Sequence, residues 1–359
     1  MNARNEEVAA AGSGQGVGTD PGPVGVAEAR QLDLAVGGQA LIEGVMMRAP
    51  RYLAMAVRTP DKRIVIRKKT FRSIVRKLPF LNVPVLRGGV HLIETMGLGI
   101  DALMFSAEQA ASEDRVAQPQ KSAWKDKALM WGTVAFSFVL SLGLFFYLPI
   151  ILTDLIVAEE HGSMVWNLVD GVFRVALFIL YLWGISKLPE MKRVFQYHGA
   201  EHLGIHAFEN GRPLTPEGTR GFTTLHPRCG TSFLFFVMLI SIAVFSFLGR
   251  PQDIGDRLQR LAFVPVIGGL AYEAIKLSGK YGKAWYLKPF ILPGLMLQKI
   301  TTSRPDDDQL EVSMAALKAV LTPEADDFRE KIYYDLPAGG FVPQTAAHTD
   351  TQAAAGDLP

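Results

Sequence analysis

Cysteine is almost missing from this chain: Cys229 is the single thiol in 359 residues. No intrachain disulfide can form, so nothing supports secretion into an oxidising space. An excess of charge is missing too. The 37 Lys and Arg against 35 Asp and Glu leave a net charge of +2, which gives no basis for a polyanion-binding surface, and no nucleic-acid partner is expected. There is no signal-peptide pattern at the start. Residues 1–33 are rich in Gly, Ala and Pro with no apolar run, and residues 337–359 share that character, so a disordered leader and a matching tail are expected. No internal repeat is present.

What the chain has instead is apolar sequence without charge. It is 49% hydrophobic, with a slightly positive mean hydropathy. The run ALMWGTVAFSFVLSLGLFFYLPIILTDL, from Ala128 to Leu155, carries no charge before Asp154. A helix needs about 20 apolar residues to cross a hydrocarbon layer of roughly 30 Å, and this run is long enough. TSFLFFVMLISIAVFSFLG at 231–249 is shorter and equally uncharged. Met164–Ile185 contains Asp170 and Arg174, spaced to pair on one helical face. Leu261–Leu277 carries Pro265, Gly268 and Gly269, then Glu273 and Lys276 near its end. WYLKPFILPGLMLQKI at 285–300 suits an interfacial or re-entrant seat. The expectation is an α+β membrane protein of about four transmembrane helices, at about 128–153, 164–186, 231–249 and 261–278, with the lipid bilayer as a partner.

Lysine and arginine in the short loops set the orientation. Lys121, Lys125 and Lys127 precede the first span; TDLIVAEEHGS after it has none; Lys187, Lys192 and Arg193 follow the second. Both termini are therefore expected in the cytoplasm, although Arg250, Arg257 and Arg260 lie on the wrong side of this scheme. Residues 34–112 form the small β-rich cytoplasmic domain plus a helix: AMAVRTPDKRIVIRKKTF alternates around the turn Thr59-Pro60-Asp61-Lys62. LAVGGQALIEGVMMR ahead of it reads as one more strand, with Gly37-Gly38 as its bend. Residues 113–127 read as a linker, 128–300 as the membrane region with a cytoplasmic metal-site loop at 187–230, and 301–336 as a C-terminal helical segment around DDDQLEVSMAALKAVL.

Titratable groups concentrate in one place. YHGAEHLGIHAFENG at 197–211 holds three of the seven histidines. His198 and His202 are four apart, so a helix puts both imidazoles on one face, and Glu201 stands beside them. This is the H-x-x-E-H arrangement of the inverted zincins, in which two histidines hold zinc and the glutamate is the general base. Zinc accepts imidazole nitrogens at about 2.0–2.1 Å, which side chains on successive turns can supply together. His206 continues the face, too far along a straight helix to join the same ion. TLHPRCGTSF later adds His226 and Cys229 at H-x-x-C spacing, with Cys229 beside Arg228 at a helix start. Interfacial histidines can also simply hydrogen-bond backbone and headgroups, the bland alternative.

With GGQALIEGVMMR, YHGAEH and HPRCGTSF together, residues 36–322 resemble the YqhQ-type bacterial membrane family, a family defined as a domain of unknown function. The resemblance implies a multi-pass inner-membrane protein with a metal requirement, carried by His198, Glu201, His202, His226, Arg228 and Cys229, and it supplies no reaction. Where the family motif continues YHGAEHK-T, this chain has Leu203 and Gly204. Glu43 and Arg48 read either as groups closing over the metal or as an ordinary ion pair or surface charges, the second being favoured. His91 and Glu94 read as helix surface, and His161 and His348 as loop and tail.

Two functions follow from these residues. In one, a divalent metal, by preference zinc, is held by His198, His202 and either His226 or Cys229, with Glu201 as base and Arg228 steadying an oxyanion, in a hydrolase acting on a peptide or lipid-linked substrate. In the other, His198, His202, His226 and Cys229 all bind one zinc and staple a scaffold or assembly factor. A transporter using Asp170, Arg174 and Glu273 is the weakest alternative.

Overall fold

The computed structural model describes residues 36–111, 123–281, 288–322 and 330–334. The expected leader and tail, and residues 113–122 of the expected linker, lie outside them.

The chain opens with an antiparallel meander. β1 (Gly37–Leu41), β2 (Gly44–Arg48), β3 (Tyr52–Arg58) and β4 (Ile64–Thr70) pair in sequence order. The stretch expected as one strand bent at Gly37-Gly38 is a hairpin: its turn is Ile42-Glu43, with Glu43 at φ 51°. A two-residue hairpin loop needs positive φ to match the strand twist, and neither residue advertised it. The β3–β4 hairpin does turn at the anticipated residues, through Thr59–Arg63. A short helix α1 (Ile74–Lys77) and a 3₁₀ turn lead into α2 (Leu86–Ala110).

α3 (Ala123–Leu142), a π-turn at Gly143–Tyr147 and α4 (Leu148–Ile156) make one long apolar rod, followed by α5 (Gly162–Ile185). The π-turn has a local cause. Pro149 lacks the N–H that Phe145 O would otherwise accept, and that carbonyl takes Arg174 Nη1 at 3.2 Å instead. Arg174 also pairs with Asp170 at 2.7 Å, as their spacing anticipates. α6 (Pro189–Glu209) follows, then α7 (Gly230–Leu248), α8 (Ile254–Ala262), α9 (Val264–Tyr281), α10 (Lys288–Thr301) and α11 (Asp307–Leu321). β5 (Glu330–Tyr334) returns to pair with β4. The segment 301–336 is thus not wholly helical: EKIYY, rich in β-formers, ends it as a strand.

Five helical stretches among the described residues are long and apolar enough to cross a membrane: Leu86–Ala110, Trp131–Ile156, Gly162–Ile185, Gly230–Leu248 and Ile254–Leu277. That is one more than about four. The addition is α2, whose Gly-rich apolar sequence also suits a helix packed on protein. Side chains such as Phe247 (91% exposed) and Leu155 (81%) face outward, a surface that suits lipid far better than water.

The sheet is covered on both faces, as its period-two alternation requires. Val45, Met47, Ala54, Ala56 and Ile66 pack with Tyr197, Ile205 and Phe208 of α6 and with Val312 and Leu317 of α11. Met46, Leu53, Met55 and Val65 pack with Ala102 and Phe105 of α2. Arg87 joins Glu273 by a bidentate pair at 2.6 and 2.5 Å, tying α2 to α9. Glu273, one of the polar groups of the transporter reading, is therefore an inter-helix tie.

Candidate metal centre

Nearly half of the expected cytoplasmic loop at 187–230 is α6, a helix with Phe195, Tyr197 and most of residues 199–208 buried between the sheet and α11. It places the YHGAEH stretch in the interior, with only His198 half-buried, and each residue has a distinct neighbour. Tyr197 OH lies 3.3 Å from Glu43 Oε2. Gly199 leaves room for the Ser303 carbonyl, which a Cβ there would meet at 2.1 Å. Ala200 O accepts the Ser313 hydroxyl at 2.8 Å. Glu201 faces β1, where a Cβ on Gly38 would stand 2.8 Å from its Cγ.

His198 and His202 occupy one face, as four-residue spacing dictates, with ring centroids 4.5 Å apart. Their Nδ1 atoms meet carbonyl oxygens: Thr301 O at 2.8 Å for His198 and Thr224 O for His202. A carbonyl can only accept, so each Nδ1 bears the proton and each Nε2 keeps its lone pair. His198 Nε2 lies 3.1 Å from Cys229 Sγ. His202 Nε2 is buried and has no hydrogen-bond partner, although a buried polar nitrogen without one costs about 1–3 kcal/mol. Burial lowers the His202 pKa, and the Cys229 thiol beside the ring opposes this. One donor atom each from His198, His202 and Cys229 lie within 4.8 Å of one another.

This donor set fits a zinc ion. Two imidazoles with Nδ1–H pinned by carbonyls and Nε2 directed inward are the outer-shell arrangement that orients metal-binding histidines, and a thiol completes a soft, tetrahedral-capable trio. Cys229 arrives there as the N-cap residue of α7, its Sγ accepting Thr231 N–H.

His226 is placed differently. Its Nδ1 accepts the Arg228 backbone N–H at 3.3 Å, and its Nε2 faces Glu209 Oε2 at 3.4 Å. It groups with His206 and Glu209, whose donor atoms also lie within 4.8 Å of one another, and not with His198 and Cys229. His206, seemingly too far along α6, meets His226 at 4.9 Å between ring centroids, because the 222–229 loop runs back alongside the helix. Arg228 is ion-paired with Glu209. Glu201, fully buried, belongs to neither donor group. Burial raises its pKa to about 7, opposed by His198 and by the Gly38 N–H that its carboxylate accepts.

Three participants escaped the sequence. Glu209 lies one turn beyond His206, so that spacing was a usable signal. Gln298 clamps the His226 backbone through two bonds, accepting its N–H and donating to its carbonyl, both at 2.8 Å; no local pattern marks it. Thr301 acts through its carbonyl, which no side-chain motif reveals. Glu43 and Arg48 do not pair with each other. Glu43 pairs with Arg193 of α6, and Arg48 lies over the Phe71 ring at 4.1 Å. His91 contacts Glu94 at 3.1 Å.

The family model described as "Protein of unknown function (DUF1385)" matches residues 83–323, spanning α2 to α11 and every donor named above. The chain belongs to this family. It is similar to "Uncharacterized protein YqhQ" of Bacillus subtilis (strain 168), with 32% identity over 302 residues, covering 81% of this chain and 93% of the relative. The YqhQ-like match is longer than the family span. No solved structure matches the chain.

Proposed function

We propose that this DUF1385 protein is a metal-dependent multi-pass protein of the bacterial inner membrane, with both termini in the cytoplasm, that holds one zinc ion between His198, His202 and Cys229. The observation that carries the reading is the unpartnered, buried Nε2 of His202 beside the inward Nε2 of His198 and the Cys229 thiol. The orientation rests on the lysines and arginines flanking α3 and α5. A zinc ion held by His198, His202 and Cys229 would supply Lewis acidity and a lowered pKa for water. That favours hydrolysis, on a peptide or lipid-linked substrate. In that chemistry Glu201, one residue from His202, is the proton acceptor once its carboxyl leaves the Gly38 N–H of β1, and Arg228, paired with Glu209, is the cation beside the reacting group.

A structural role is the second reading. The three donors join α6 to the start of α7, and His198 and His202 lean on backbone of the 222–229 loop and of α10. An ion there would fasten elements of a membrane scaffold or assembly factor.

Cobalt substitution tests both readings. Detergent-purified protein loaded with cobalt should show a thiolate charge-transfer band that Cys229→Ser removes. An added anion such as azide should shift the d–d bands if a position is exchangeable, and leave them fixed in a closed structural site. Absence of the thiolate band in the wild type would remove the donor assignment altogether.

A further inference from the structure

Beside the candidate metal centre lies a cavity of about 910 Å³ of which the reading above uses only Arg228. Its walls come from β1, β2, α1, α2 and α9, with Arg228 reaching in from the loop ahead of α7. The size is at the upper end for small-molecule sites. The lining holds three arginines, Arg48, Arg76 and Arg228, and no carboxylate. Arg48 is half-buried, and burial lowers its pKa against the pull of Glu94. Among the described residues its guanidinium lies closest to the Phe71 ring, at 4.1 Å from the centroid. Glu94 has its oxygens on the Ser73 hydroxyl, the Ile74 N–H and His91. Arg76 is exposed, and Arg228 is shared with Glu209. The remaining wall sets apolar side chains, Met46, Phe71 and Leu98 among them, beside neutral polar ones such as Gln39, Ser73 and Thr95. Such a site suits a ligand that is anionic at one end and oily beside it.

The neighbouring segment says where that ligand comes from. Between β4 and α2, Leu78 (43%), Phe80 (69%), Val83 (54%) and Leu86 (50%) are exposed, in RSIVRKLPFLNVPVL with Arg72, Arg76 and Lys77 among them. Apolar side chains interleaved with basic ones are the composition of a segment seated at an anionic bilayer surface. Pro79 and Asn82 of this segment also line the cavity, so the cavity wall and the lipid-seeking stretch are continuous.

We propose that this cavity seats the phosphodiester headgroup of an anionic membrane lipid, with Arg48, Arg76 and Arg228 as its cationic contacts. Guanidinium groups suit phosphate because their planar fork donates two hydrogen bonds at once. The proposal rests on the membrane reading of the chain and not on the ion.

The test measures binding of dioctanoyl phosphatidylglycerol to the detergent-purified full chain, beside dioctanoyl phosphatidylcholine and sodium phosphate. Saturable phosphatidylglycerol binding is expected, about tenfold tighter than phosphatidylcholine, and about tenfold weaker in Arg48→Gln or Arg76→Gln. Arg48→Lys should recover part of the loss, and Arg63→Gln, in the β3–β4 turn, should change nothing. Arg76 is exposed, so Arg76→Gln still reads the site if Arg48→Gln fails to fold. Equal binding of the two lipids, an unchanged Kd in Arg76→Gln, or sodium phosphate binding as tightly as the lipid would each overturn the proposal. Chelated protein and His202→Ala should bind the lipid like the wild type, so failure of the metal reading and failure of this one are separable.

Discussion

His198 Nε2 and Cys229 Sγ meet at 3.1 Å although 31 residues separate them in the chain. Neither side chain is free to choose this. The Thr301 carbonyl fixes the imidazole through Nδ1, and the start of α7 fixes the thiol through Thr231 N–H. Two independently held donors facing each other, with His202 Nε2 unpartnered nearby, are the reason for expecting an ion.

Removing any of these donors should empty the site. Loss of an outer-shell partner alone costs roughly 10–100-fold in metal affinity, so His198→Ala, His202→Ala and Cys229→Ala should each lower zinc content by about tenfold or more. His206→Ala should keep it, because His206 donates to Leu225 O and groups with His226 and Glu209. Glu201→Gln should also keep it. Elemental analysis of purified protein reads all five, and retention of zinc in His202→Ala would end the assignment.

Chelation should lower the melting temperature of the wild type and leave His202→Ala unmoved. A ligand bound only by the folded state stabilises by about 2.7 kcal/mol at a hundred times its Kd. The comparison isolates the ion from any direct action of the chelator. Equal shifts in both proteins would mean that the stabilising ion sits elsewhere.

Much of this arrangement was legible in the sequence, for definite reasons. The apolar runs, the Thr59–Lys62 hairpin turn and the 307–321 helix are local patterns: length, alternation and an aspartate cap. The His198–His202 face is equally local, since four residues make one turn. What could not be read is what crosses the chain. His226 and Cys229 share H-x-x-C spacing, yet the loop turns the imidazole toward Glu209 and the thiol toward His198. Glu201 sits within the zincin motif, but the neighbouring sheet edge takes its carboxyl. The β1–β2 hairpin was hidden because Glu43 adopts positive φ without a glycine.

Gly199→Ala tests how tightly α6 is held. In an exposed helix this change would stabilise by about 1 kcal/mol, but here the new Cβ would meet Ser303 O at 2.1 Å. That carbonyl cannot move freely, since the Ser303 N–H is bonded to Phe195 O at 2.9 Å. The sign should therefore reverse, with a loss of about 1–3 kcal/mol seen as a lower melting temperature in detergent. Gly37→Ala, with nothing within 4 Å of the added carbon, is the matched control. A stabilised Gly199→Ala protein would show that α6 and the Ser303 segment are not in this contact.

Gln298 is the position where fold and site meet most directly. Fully buried on α10, its amide accepts the His226 N–H and donates to the His226 carbonyl, both at 2.8 Å. Its Nε2 also lies 3.3 Å from the Ser232 hydroxyl on the first turn of α7. The residue therefore sets the register of the 226–232 stretch, which contains Cys229. Gln298→Leu would keep the bulk but leave the His226 N–H buried without its partner, at about 1–3 kcal/mol, and its carbonyl with only the Cys229 N–H at 3.3 Å. Stability should fall, and zinc affinity should fall with it, because the thiol loses its fixed place opposite His198. The conservative Gln298→Glu, which retains the acceptor for the His226 N–H, should keep part of both. A Gln298→Leu protein that melts lower but binds zinc with wild-type affinity would confine Gln298 to stability, and would mean that Cys229 is positioned by α7 alone.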